Sequence, residues 1–288
     1  MRRARAVSRE LSAGPLRAAI VVVSALLSAG RLSAQDDAGR LAWRDGRRFA
    51  IDGQPDSALA AYARAATLAR SSGDRAISTA ALRGTADVYL VYKGCADSAL
   101  RLLTDATASA AEGDRSAADA LVRLLSSRGD VTKARSTLVK AYEDLPGVGR
   151  QITRESVTFL QGMATIERFS GHEAAALSTL SSALQVAVRM HEGDAHDGIS
   201  HAMGTVSAEN AWVLYDLAEL RLHAKSSGIA SPREGTRMLD QLIEAWPTVS
   251  EHELSPFPVS RLRERLELNA RACVRDGKPC PVPKPPKC

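Results

Sequence analysis

The sequence predicts an all-α fold: about five helix–turn–helix repeats stacked in a row and closed by a C-terminal capping helix. Three observations lead there. The segment GQPDSALAAYARAAT at residues 53–67 is nearly rewritten as GCADSALRLLTDATA at 94–108. Ala58, Ala99, Ala134 and Ala176 are each preceded five residues earlier by Gly and followed seven residues later by Ala. The chain is poor in aromatics, at 4%, and lacks alternating β-branched runs, which disfavours strands.

The columns have a physical reading. Two alanines seven apart lie on one helical face two turns along, where small side chains let a neighbouring helix approach closely. The Gly sits between two helix-period stretches, where a tight turn needs unusual dihedrals. Each unit therefore reads as helix, Gly turn, helix. The turn glycines are Gly53, Gly94, Gly129 and Gly171, and the second alanines are Ala65, Ala106, Ala141 and Ala183. Apolar residues keep the helical period on both sides of the turn. In the third unit these are Leu121, Leu124 and Leu125 before Gly129, then Leu138, Ala141 and Leu145 after it. One helical pair cannot bury its apolar face alone, so copies must stack.

Residues 207–225 and 231–247 form a fifth helix–turn–helix, with Gly235 and Leu242 in place of the two alanines and Pro247 at its end. Fourth and fifth units are separated by a polar, Gly-rich loop at 193–204. A last helix, Ser260 to Cys273, is expected to cover the open end, as terminal caps do in solenoids. The tail at 276–288 carries five prolines and is expected to be extended.

Residues 1–34 read as a secretory signal peptide. They run from a basic stretch through the short apolar segment Ala18 to Gly30 to small residues before Gln35. Cleavage is expected after Ala34, making the protein exported, periplasmic or secreted. The apolar segment is short of the about 20 residues that span a bilayer, so membrane contact is expected only from an uncleaved leader. The leader holds six Arg and one Glu, so the remainder carries 32 residues of each sign. No basic footprint for nucleic acid is left. Cys95, Cys273, Cys280 and Cys288 follow the leader, and four cysteines in an exported chain are compatible with two disulfides in any of three pairings.

The repeat columns resemble the tetratricopeptide repeat family. RGDVTKARSTLVKAYEDLP matches best, with Gly129, Ala134, Ala141 and Pro146 at the family's offsets. The first unit offers Gly46 and Phe49, but Trp43 lies three rather than four residues before Gly46. Spacings of 41 and 42 between anchors exceed the usual 34, implying some longer helices. The resemblance covers residues 37–192 and implies a right-handed superhelix whose first helices line a concave groove. That groove would hold a protein or peptide of the cell envelope. The groove-facing offsets fall on Trp43, Arg47, Tyr92, Arg123, Arg168 and Phe169. Aromatics and Arg dominate binding energy at interfaces, and Arg can grip a carboxylate through two hydrogen bonds.

Catalytic motifs are weak. HEGDAHDGISH places His191, His196 and His201 five residues apart, whereas a zincin helix needs two His four apart on one face. LPGVGR at 145–150 contains Gly-x-Gly but follows a helix and lacks the phosphate-loop Lys. The reading that follows is an exported scaffold or adaptor without catalysis and without a cofactor. Its alternatives are an envelope metal-dependent hydrolase using the His191–His201 loop, and a small-ligand sensor.

Overall fold

A computed structural model describes residues 37–192 and 210–252. The leader, the polar loop, His196 and His201, the capping helix, the Pro-rich tail and Cys273, Cys280 and Cys288 all lie outside these described residues.

Among the described residues there are ten α-helices and no strand. They are α1 (37–51), α2 (Pro55–Ser72), α3 (Arg75–Val88), α4 (Ala96–Ser109), α5 (Ser116–Ser127), α6 (Val131–Ala141), α7 (Arg154–Phe169), α8 (Glu173–Glu192), α9 (Ala211–His223) and α10 (Pro232–His252). The all-α expectation is met, and each of the first four Gly columns falls between two helices.

Local chemistry sets the boundaries. Gly53, Gly94, Gly129 and Gly171 all have positive φ, at 71°, 66°, 84° and 83°. An L side chain rarely adopts that left-handed turn, which is why glycine recurs there. Helix starts are capped by side chains: Asp74 accepts from the Ile77 amide at 3.0 Å, Asp130 from Lys133 at 3.3 Å and Thr153 from Ser156 at 3.2 Å. Pro55 opens α2, where its missing N–H costs nothing.

The long spacings have two different origins. Between the first and second anchors, α2 is 18 residues long, and α3 continues as a π-helical turn, Tyr89–Lys93, before Gly94. Between the third and fourth, the extra residues lie in the connection 142–153, which contains a short 3₁₀ turn at Val148–Arg150. Thus α6 stops at Ala141, earlier than the repeat pattern implies, and Leu145 is not part of it. The Arg115 Nε–H donates to the Ala141 carbonyl at 2.8 Å, satisfying an acceptor the helix end leaves open. At the other end, α10 runs through Pro247 to His252, so Pro247 does not end the helix.

The small columns are where helices meet. Ala58, Ala99, Ala134 and Ala176 are fully buried, as are Ala65, Ala106 and Ala183. Ala141, at the last turn of its helix, is half-buried. In the fifth unit the anchor is Gly235, and the reason is visible. A Cβ there would stand 2.8 Å from Leu222 Cγ and 3.0 Å from the Ala218 carbonyl, so even alanine does not fit. The buried Tyr62 of α2 is a second close fit, its ring lying against Gly46 of α1 and Gly84 of α3.

From α2 onward the helices pack in chain order, each on the next. In addition α3 packs on α5, α5 on α7 and α7 on α9, whereas no comparable contact joins the second helices α2, α4, α6 and α8 to one another. Among the described residues the apolar interior divides into three clusters: one around Trp43, Tyr62 and Val88, one around Leu103, Leu125 and Leu138, and one around Leu180, Leu214 and Leu239.

Candidate interaction face

The first helices α3, α5, α7 and α9 form one continuous layer, and polar chemistry concentrates on it. Asp119 and Arg123 stand one turn apart on α5, Gln161 lies on α7 and Asp216 on α9. Arg123 grips Asp216 through two bonds, Nη1 to Oδ1 at 2.8 Å and Nη2 to Oδ2 at 3.1 Å. Gln161 Nε2 donates to Asp216 Oδ2 at 2.9 Å. The Trp212 ring lies under the Arg123 guanidinium at 5.9 Å. Burial alone would lower the Arg123 pKa; the Asp216 carboxylate outweighs it and leaves the pKa raised, so the charge is fixed.

Asp119 has a different environment. The Tyr142 hydroxyl donates to its two oxygens at 3.2 and 3.3 Å. Burial pushes its carboxyl up to about 7, although Tyr142, Arg123, Arg83 and Arg115 all act to lower it. The same burial, with Asp119 beside it, pushes the Tyr142 phenol well above its ordinary range. Arg115 closes the outer end of this row, binding both oxygens of Asp144 at 2.6 Å and lying over the Tyr142 ring at 5.2 Å. That hydrogen bond holds the Asp144 carboxyl below its ordinary value.

The six residues expected to face the groove fare unequally. Trp43 is only 7% exposed and belongs to the N-terminal core, with Arg47 stacked over its ring at 5.1 Å. Tyr92 is half-buried, and its hydroxyl donates to the Ala50 carbonyl, tying the π-helical turn to α1. Arg123 is engaged with Asp216 as described, and Arg168 forms an ion pair with Glu219 of α9 at 3.6 Å. Tyr215 donates to the same Glu219 at 3.1 Å. Phe169, beneath Arg168 at 5.5 Å, is 44% exposed. The internal acids were not legible beforehand: Asp216 is 93 residues from Arg123. What could have been noticed is that Asp216 and Glu219 lie three apart on a helix, next to Trp212 and Tyr215.

A further cation on the layer stands apart. Arg83 of α3 is half-buried, has no hydrogen bond or ion pair among the described residues, and lies within electrostatic reach of Asp119 and Tyr62. The Tyr62 hydroxyl is buried without a hydrogen-bond partner. Burial, then the nearby Asp87, pushes that phenol well above its ordinary range, while Arg47 and Arg83 oppose the shift.

Away from this face, a cleft of about 120 Å³ opens between α8, α9 and α10, lined by Leu177, Leu184, Val188, Leu217 and Met238. No group of three His, Cys, Asp or Glu among the described residues is placed to hold a metal ion. His191 falls in the last turn of α8, with its two partners outside the described residues. Among the described helices none is long and apolar enough to cross a membrane. Compared with known proteins, the chain matches no family model and no curated protein.

Proposed function

We propose that the chain is an exported scaffold of tetratricopeptide-like repeats whose first-helix layer holds a segment of a partner protein, with no reaction of its own. The packing of the first helices supports the reading. First helices touch from unit to unit while second helices do not comparably, which favours a stack curved toward the first-helix side. A preformed curved face of this kind suits an extended or helical segment.

The observation that carries the proposal is Arg83. Half-burying a guanidinium without an acceptor is unfavourable, and the neighbouring cations Arg123 and Arg168 have both found internal carboxylates. Arg83 is the place where an acidic side chain from outside would complete the layer. Partner binding therefore centres on the first two units, with Phe169 as an apolar contact further along. Cys95, at the start of α4, stabilises this end if it pairs with one of the three distal cysteines.

The test is retention of envelope proteins by the immobilised chain beside two variants, Arg83→Glu on the proposed face and Arg101→Glu on the exposed side of α4. A partner kept by wild type and by Arg101→Glu, and lost by Arg83→Glu, supports the reading. Loss from both variants, or from neither, overturns it.

A further inference from the structure

We propose that Arg123 is a proton-controlled clasp: Asp119, one turn earlier on α5, and Asp216, across on α9, compete for its guanidinium, and protonation of Asp119 commits it to Asp216. The geometry sets up the competition. An acid four residues before an Arg on a helix stands on the same face and in the favourable orientation for an ion pair. Yet among the described residues the Asp119 carboxylate accepts only from the Tyr142 hydroxyl, and Nη1 and Nη2 of Arg123 both go to Asp216. Two carboxylates thus act on one guanidinium, and its paired Nη bonds serve one of them.

The other groups around the pair are accounted for. From α3 comes Arg83, from α5 Arg115, and from the segment after α6 Tyr142; α7 supplies Gln161 and α9 Asp216 and Tyr215. Arg115 is committed to Asp144 and the Ala141 carbonyl, and Gln161 reinforces Asp216. Arg83 acts on Asp119 from α3 without a bond to it, whereas Arg123, one turn from Asp119 on the same helix and bonded to Asp216, is the cation the two acids share. With Asp119 neutral, Arg123 has a single anionic partner and holds α5 to α9. With Asp119 charged, it is drawn back along its own helix, and the bond spanning the third and fifth units weakens.

The sign follows from the direction of the shift. Asp119 is raised to about 7 in the fold, against an unfolded carboxyl near 4. Its contribution to stability is therefore fully present below about pH 4 and is lost as pH rises through about 7. Within that window each pH unit lowers the folding equilibrium constant by up to about tenfold.

The experiment is NMR on the full chain between pH 5 and 8.5, following the Asp119 side-chain carboxyl carbon, the Arg123 guanidinium nitrogens and the Trp212 indole together. The clasp requires all three to move with one midpoint near 7. It also requires Asp216→Asn, which removes the competitor, to lower the Asp119 midpoint by a unit or more, and Asp119→Asn to abolish the Arg123 and Trp212 transitions. An Asp119 titration that leaves the Arg123 signals still would overturn the proposal in wild type alone, whatever the variants do. So would an Asp119 midpoint that does not change in Asp216→Asn.

Discussion

Replacing Gly84 by alanine tests the packing of the first two units directly. The new Cβ would stand 2.5 Å from Tyr62 Cζ and 2.7 and 2.9 Å from its two Cε atoms. Carbon atoms pack at about 3.5–4.0 Å, so the ring must retreat by roughly 1 Å. It cannot do so freely, because Gly46 presses on the same ring, with a Cβ position 2.6 Å from Cδ1 and Cε1. Removing a mid-helix glycine gains up to about 1 kcal/mol. Overpacking a rigid site costs about 1–3 kcal/mol, and partial expulsion of a buried aromatic adds to it. The expected net loss is about 2–4 kcal/mol, a fall in Tm of roughly 5–15 °C for a chain of this size. The assay is thermal and urea unfolding followed by circular dichroism, with Gly39→Ala as control. At Gly39 the nearest atom to a Cβ is 3.7 Å away, so that variant should match or slightly exceed wild type. A Gly84→Ala protein as stable as the control would refute the claim that these glycines exist to seat Tyr62.

Three further outcomes are expected. Tyr62→Phe removes a buried hydroxyl that has no hydrogen-bond partner, so it should raise stability by about 1 kcal/mol, read as a higher urea midpoint with unchanged slope. Gly129→Ala places an L side chain at φ 84° in open space, so strain alone acts, and a loss of about 1–2 kcal/mol is expected in the same assay. Glu173 accepts from the backbone amides of Lys225 and Ser226 at 2.8 and 2.9 Å, so Glu173→Ala should cost about 1–3 kcal/mol and speed amide hydrogen exchange at those two residues.

The parts of the fold that were legible in the sequence are those set by neighbours in the chain. A turn glycine with positive φ and an alanine buried five residues later belong to one local geometry, so Gly53 and Ala58 reveal it at every copy. Gly235 was legible as a position, but its cause was not, because Leu222 and the Ala218 carbonyl crowd it from the preceding helix. The first-helix layer was harder still. Offsets placed Arg123 and Arg168 on first helices, but side chains there are claimed by whatever the fifth unit brings across, and no local pattern says that Asp216 and Glu219 arrive. Trp43 shows the opposite error. An aromatic at a groove offset looks like a contact residue until the core beside Tyr62 and Val88 is assembled around it. Likewise the repeat pattern carried α6 past Ala141, where the helix stops and Arg115, from the start of the preceding helix, takes up the Ala141 carbonyl.

The division of the interior into three apolar clusters has a consequence for how the molecule yields. Where contacts run only between neighbours, stability is a sum of local terms, and a stretch at one end can open while the rest stays closed. Amide exchange should then fall into blocks, with the residues around Tyr62 protected independently of those around Leu214. Cooperativity over the full length would depend on the few links that skip a unit, and the Arg123–Asp216 bond, reaching from the third unit to the fifth, is one of them. Cutting it should leave each block as firm as before and make the boundary between the last two slip first.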